Sequence, residues 1–222
     1  MRFLILSDIH GNIEYLEKLS EEFEKADAVL VAGDFAEFNR PETGLPVLQF
    51  LLKKHERLFC VTGNCDEIAF IDELESHDVC VQSAVIFSEG LVFSGSGGSL
   101  AFTGVTPFER SDDELMQDLR LVSAEHAPDN LIVLIHQPPF DTKLDKISAG
   151  AHVGSKAVRE FIQKQQPLLS VSGHIHESFS VDKIDKSTLV NPGSLAEGRY
   201  ATAILEKTDA GWCVANVELK QL

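Results

Sequence analysis

Arg2-Phe3-Leu4-Ile5-Leu6-Ser7-Asp8-Ile9-His10-Gly11-Asn12 is the stretch that decides the fold. Arg2 to Leu6 is a short and almost wholly apolar run, the pattern of a strand buried on both faces. A polar, glycine-containing loop follows, and Asn12 opens a segment to Glu24 in which Ile13, Leu16, Leu19 and Phe23 share one helical face. The same unit recurs. Ala28 to Ala32 reads as the next strand, a helix begins near Leu45 with Pro46 in its first turn, Leu58 to Val61 is a third strand, and Glu67 to Glu75 is helical in pattern. This β-α-β-α-β rhythm predicts parallel strands joined by right-handed crossovers.

From Val79 the texture changes. Val79 to Val81, Ala84 to Phe87 and Leu91 to Phe93 read as short strands, followed by a Gly/Ser turn over Gly95 to Ser99. A polar helix is expected over Ser111 to Glu125, a strand over Leu131 to Ile135, a helix over Ser155 to Gln165 and a strand over Leu168 to Ser172. The tail from Phe179 to Leu219 suggests three or four antiparallel strands, with turns near Asp185, Asn191 and Asp209-Ala210-Gly211. No linker or repeat interrupts the chain, so residues 1–222 are read as a single α/β domain with two sheets.

Composition narrows the function. The 222 residues include 19 Lys and Arg against 35 Asp and Glu, a net charge of −16. That balance argues against sequence-independent nucleic-acid binding, which needs cations to neutralise phosphates, and against a polybasic membrane patch. No apolar run reaches the roughly 20 residues of a spanning helix, and the start turns acidic too soon for a secretory signal. The four cysteines form no C-x-x-C pair, which fits a reducing, cytoplasmic setting. Oligomeric state is left open, a homo-oligomer included.

Five strings each begin at or near the end of an expected strand: Asp8-Ile9-His10-Gly11-Asn12, Gly33-Asp34, Gly63-Asn64-Cys65-Asp66, His136-Gln137-Pro138-Pro139 and Gly173-His174-Ile175-His176. In a parallel sheet the carboxyl ends of the strands gather along one edge, where α/β proteins place their sites. Asp8, His10, Asp34, Asn64, His136, His174 and His176 would then share one crevice. In extended chain, residues i and i+2 point to the same side, so Asp8 with His10, and His174 with His176, can each pinch one target. Seven ligands exceed one tetrahedral zinc site but suit two metals about 3.5–4 Å apart with one carboxylate bridging. Mixed carboxylate, imidazole and amide donors favour Mn²⁺, Fe, Zn²⁺, Co²⁺ or Ni²⁺ over Ca²⁺, with Mn²⁺ the first expectation. Singly, Asp8 or Asp34 could be a helix cap and His136 a strand-end residue; their joint occurrence carries the metal reading. His55, His77 and His126 lie in polar stretches and are expected to face solvent.

The order D-x-H, GD, GN, H and GHxH, spanning Asp8 to His176, resembles the calcineurin-like metallophosphoesterase superfamily, its small prokaryotic phosphodiesterases most of all. Asn191-Pro192-Gly193-Ser194 beyond it is also typical of that family. The resemblance implies a four-layer α-β-β-α sandwich with two mixed sheets. It implies that Asp8, His10, Asp34 and His176 hold one metal while Asp34, Asn64, His136 and His174 hold the other, Asp34 bridging. It further implies hydrolysis of a small phosphate ester, a phosphodiester before a monoester, by in-line attack of a metal-bridging hydroxide. A catalytically silent protein-binding scaffold with the same fold is the alternative, and the complete ligand set favours the enzyme.

Asp34, Asn64 and His136 are thus expected in catalysis. His152, before the helix start at Gly154-Ser155, is a further candidate for catalysis and for contact with the substrate, as Asn64 and Cys65 are for substrate binding. Many relatives read G-N-H at the third motif; here Cys65 takes the His position, and a thiol is a weak donor in its place. Asp66 is expected to cap the following helix and orient a neighbouring ligand. Gly95 to Ser99 could cradle a phosphate, although a tight turn is the plainer reading.

Overall fold

Alternate residues of strand β1 (Arg2–Leu6) serve two different layers. Phe3 and Ile5 join a buried cluster between two sheets, whereas Leu4 and Leu6 join another against helices on the outer face. Burial on both faces is why this strand is a continuous apolar run rather than an alternating one. The computed structural model describes residues 1–102, 104–122 and 129–222. The last part of the helix expected over Ser111 to Glu125, together with His126, lies outside the described residues.

The first sheet contains β1, β2 (Ala28–Ala32), β3 (Leu58–Val61), β12 (Arg199–Thr208) and β13 (Gly211–Gln221), in the order β13-β12-β1-β2-β3. Its β1-β2-β3 portion is parallel, with register Phe3↔Ala28 and Val29↔Leu58, while β12 runs antiparallel to β1. The second sheet contains β4 (Ile86–Ser88), β5 (Leu91–Ser96), β8 (Leu131–Ile135), β9 (Leu169–Val171), β10 (Ser180–Ile184) and β11 (Ser187–Asn191), in the order β10-β11-β9-β8-β5-β4. Its inner strands are parallel and both edge strands antiparallel. A two-residue pair, β6 (Ser99–Leu100) with β7 (Glu109–Arg110), lies beyond β5.

The sheets pack face to face through Phe3, Ile5, Leu30, Phe59 and Val61 on one side and Phe93, Ile132, Leu134 and Val171 on the other. Phe59 stacks on Phe93 at 3.8 Å between ring centroids. Helices α1 (Ile13–Lys18), α2 (Ser20–Lys25), α3 (Gly44–Lys54) and α4 (Phe70–Ser76) contribute Leu16, Phe23, Val47, Leu48, Leu51 and Leu74 to the outer core of the first sheet. Helices α5 (Asp112–Asp118) and α6 (Lys156–Gln165) cover Leu131, Val133 and Ile135 of the second, through Val158, Phe161 and Ile162 of α6. The architecture is the α-β-β-α sandwich with two mixed sheets.

The structure departs from the sequence pattern at several points. The single helix expected over Asn12 to Glu24 is two helices that meet at Leu19, and Asn12 caps the first through Tyr15 N–H. Val79 to Val81 contributes one bridge, Cys60 to Cys80, rather than a strand. Gly95 and Ser96 continue β5, so the Gly/Ser turn shrinks to Gly97-Gly98. The tail strands divide between the sheets, β10 and β11 to one and β12 and β13 to the other. His55 is half-buried with its ring against the carbonyls of Arg57 and Ala26, whereas His77 is exposed.

Candidate metal centre

The loops leaving β1, β2, β3, β8 and β9 bring Asp8 and His10, Asp34, Asn64, His136, and His174 and His176 to one place. Asp8, His10 and His176 each offer an atom within 4.8 Å of the others, and so do Asp8, Asp34 and His136. His176 Nε2 lies 3.1 Å from Asp8 Oδ1 and 3.3 Å from His10 Nε2. His10 Nε2 stands 3.8 Å from Asp34 Oδ2, which in turn is 3.5 Å from His136 Nε2. Asn64 Oδ1 is 3.0 Å from that same nitrogen. Asp34 therefore lies between the two groups. His174 sits beside His136, with 5.3 Å between ring centroids.

Four of the seven candidate ligands are among the non-glycine residues that adopt the left-handed backbone region. Asp8, His10, Asp34 and His174 all hold φ between +48° and +66°. A left-handed residue other than glycine typically costs about 1–3 kcal/mol, and such strain concentrates at functional sites. Two glycines show how tightly the loops meet. A Cβ on Gly63 would lie 2.0 Å from Asp34 Oδ1, and one on Gly173 would lie 1.9 Å from Ser7 Oγ and 2.6 Å from Asp8 Oδ2. The glycine of each motif is the space that lets its neighbour's carboxylate enter.

The donor set fits divalent cations. His136 Nδ1 faces the Ala32 carbonyl at 2.6 Å and His10 Nδ1 faces the Ala36 carbonyl at 3.1 Å. A carbonyl only accepts, so each neutral ring carries its proton on Nδ1 and turns a bare Nε2 inward, the usual arrangement of metal-ligating histidines. His136 Nε2 then meets the Asn64 and Asp34 oxygens, acceptor against acceptor. A cation satisfies that convergence; without one, a proton must. Burial disfavours a charge on His136, but Asp34 and Asp8 outweigh it and push its pKa up to about 9. Burial likewise opposes ionisation of Asp8, yet the hydrogen bond from His176 and the neighbouring imidazoles hold its carboxyl well below the usual range. Asp34 shifts down in the same way, chiefly through His136. Burial, with the charge on His136, pushes His174 down to about 4 and leaves it a neutral lone-pair donor.

The calcineurin-like phosphoesterase family model matches residues 1–178. The chain belongs to the calcineurin-like phosphoesterases. It is 32% identical over 208 residues to an uncharacterised protein of Methanocaldococcus jannaschii, a match covering 91% of this chain and 92% of that one. A crystal structure from Thermus thermophilus aligns with a TM-score of 0.73 at 20% identity, over 99% of this chain and 98% of the other. A structure described as an archaeal phosphodiesterase aligns with a TM-score of 0.56 at 15% identity over 100% of both. At these identities the two solved structures speak for a shared fold.

Around this calcineurin-like cluster, further residues brace the donors. Asp66 does not cap a helix, since α4 begins only at Phe70. Instead it accepts the Ala36 and Gly63 N–H groups at 2.8 Å each and ties the loop of Asp34 to the loop of Asn64. Burial and the Asp34 charge push its carboxyl up to about 6. Ser194 Oγ donates to the Asp8 carbonyl at 2.8 Å, and Asn191 Nδ2 donates to the Ile175 carbonyl at 3.0 Å, between the two histidines. Cys65 N–H donates to Asp34 Oδ1 at 2.8 Å, and its sulfur can approach His10 and Asp34. Burial and the Asp34 charge raise its pKa, so the group stays a thiol.

His152 is the expected site residue that the structure does not bring to the cluster. Its Nδ1 is 2.7 Å from the buried Asp145 carboxylate, and its ring meets Phe140 edge-on. Ser155 caps α6 through Val158 N–H. Asp145 also accepts N–H groups of Thr142 and Gly154, so His152 has a structural post in the 138–154 loop. The next residue, Val153, instead helps line a cleft of about 430 Å³ that opens from Asn64 and His174. The walls of that cleft come from five stretches of chain, at Asn64, Ser99 to Glu109, Gln137, Ile147 to Val153 and His174-Ile175.

Proposed function

We propose that this chain hydrolyses a small phosphodiester with the help of two divalent cations. Asp8, His10, Asp34 and His176 would hold one, and Asp34, Asn64, His136 and His174 the other, Asp34 being shared. One observation carries the proposal: seven nitrogen- and oxygen-bearing side chains from five strand ends converge, with bare acceptors aimed at one another. Two cations of the Mn²⁺, Fe or Zn²⁺ class supply Lewis acidity to phosphoryl oxygens and acidify water enough to make a nucleophile near neutral pH.

The protein's own groups do the positioning. The backbone carbonyls of Ala32 and Ala36 fix the tautomers of His136 and His10. Asp66, Ser194 and Asn191 hold the ligand loops in register. Cys65 offers only a weak donor where many relatives carry an imidazole. Esters with good leaving groups should therefore react much faster than alkyl esters. Cys60, Cys65, Cys80 and Cys213 are all free thiols, as suits a cytoplasmic setting.

The test is kcat/KM on bis-p-nitrophenyl phosphate and p-nitrophenyl phosphate, with Mn²⁺ and after chelation. Metal-dependent hydrolysis with the diester preferred is expected. No hydrolysis of either ester by protein holding two metals would favour a scaffold role instead.

A further inference from the structure

The cleft beside Asn64 and His174 has a chemical character of its own. Leu100, Ala101, Phe102, Ile147, Val153 and Ile175 make up half of its lining, and Phe102 is 91% exposed. A large apolar ring left in solvent beside a reaction centre is more telling than the same ring alone on a surface. The polar groups of the wall are already engaged with the protein. Gln137 Oε1 accepts Leu100 N–H at 2.9 Å, and its Nε2 donates to the Val153 carbonyl at 3.2 Å. The Glu109 carboxylate accepts the N–H groups of Phe102 and Gly104 at 2.9 Å each and the Thr106 hydroxyl at 3.0 Å. Ser99 Oγ donates to the Leu100 carbonyl at 3.4 Å.

A nucleoside arm needs wall groups that recognise base edges and sugar hydroxyls. A polyphosphate needs cations, and the described wall has no Lys or Arg. Arg110, the nearest guanidinium along the chain, is engaged by Asp118 and by the Gly97 and Glu114 carbonyls. An apolar arm requires none of these partners and gains from leaving water.

We infer that the cleft binds an uncharged apolar arm, aliphatic or aromatic, of a phosphate ester whose phosphoryl group sits at the Asn64 and His174 end. This rests on the phosphoesterase reading above and names the substrate class for it. A volume of about 430 Å³ falls within the range of pockets that enclose one small organic group. Burying each methylene of such an arm should tighten binding about fourfold until the cleft is filled.

The experiment is calorimetric titration of the Mn²⁺-loaded protein with methyl-, butyl-, hexyl- and octylphosphonate, which are not hydrolysed, and with adenosine monophosphate in the form of its equally unhydrolysed 5′-methylenephosphonate analogue. Kd should fall about fourfold per methylene from butyl to hexyl, and hexylphosphonate should bind more tightly than adenosine monophosphate. Ile147→Asp should flatten that dependence; Val153→Thr, nearly isosteric and safer for folding, should lower it. A Kd independent of chain length in the wild-type protein, or tighter binding of adenosine monophosphate than of hexylphosphonate, would overturn the assignment of the cleft. Two failures separate cleanly. Affinity that depends on metal but not on chain length removes only the apolar arm, whereas affinity that rises with chain length but is unchanged by chelation at every chain length removes the phosphoesterase reading.

Discussion

Replacing Asp66 with alanine tests how the two central loops are held together. The carboxylate is 1% exposed and accepts two backbone N–H groups at 2.8 Å, one from Ala36 beyond Asp34 and one from Gly63 before Asn64. Its pKa of about 6 leaves it ionised at pH 7.5, so both bonds have a charged acceptor. Asp66→Ala strands two buried donors, each costing about 1–3 kcal/mol, so a loss of roughly 2–6 kcal/mol is expected. For a chain of this length, 1 kcal/mol moves Tm by about 2–4 °C, and the variant should melt about 4–24 °C lower. Asp66→Asn keeps one acceptor oxygen and should lose about half as much. Thermal and urea denaturation of the metal-free proteins at pH 7.5 would measure this without interference from metal binding. An Asp66→Ala variant within about 0.5 kcal/mol of wild type would refute the argument that this side chain ties the loops.

Because a cation that binds only the folded protein stabilises it by mass action, free Mn²⁺ at a hundred times Kd should add about 2.7 kcal/mol. Scanning calorimetry should show Tm rising by about 5–11 °C with Mn²⁺ and falling back with chelator, and an unchanged curve would contradict a preformed site. Gly173→Ala would drive a methyl group into Ser7 Oγ and Asp8 Oδ2, so bound metal, measured by elemental analysis, should drop by at least half. Cys65→Ser should keep most activity on bis-p-nitrophenyl phosphate, while Cys65→His should improve hydrolysis of alkyl esters. A loss beyond a hundredfold in Cys65→Ser with metals retained would give the thiol a chemical role.

Much of this was written in the sequence because strands buried on both faces, such as Leu131 to Ile135, must be apolar runs, and ligands at strand ends must follow them immediately. Boundaries blurred where local pattern yields to tertiary contact. Gly95 and Ser96 look like turn residues, yet Gly95 lies in β5 because a Cβ there would meet the Leu134 carbonyl and the Val61 side chain at 2.5 Å. Asp66 follows Asn64 closely enough to pass for a helix cap, and only the fold shows that its partners are the Ala36 and Gly63 N–H groups. His152 misled for the opposite reason. Its position before a helix start suits an anion site, but its Nδ1 is turned onto the buried Asp145 and none of its hydrogen bonds reaches the seven clustered residues. The apolar cleft was illegible because Leu100, Ile147, Val153 and Ile175 are distant in sequence and share no period.

Metal stoichiometry tests the central claim most directly. Elemental analysis of protein saturated with Mn²⁺ and freed of excess should give two metals per chain in the wild type and fewer than one in Asp34→Ala, whose carboxylate lies between the two groups. One metal or none in the folded wild-type protein, or two retained in Asp34→Ala, would contradict the dinuclear centre.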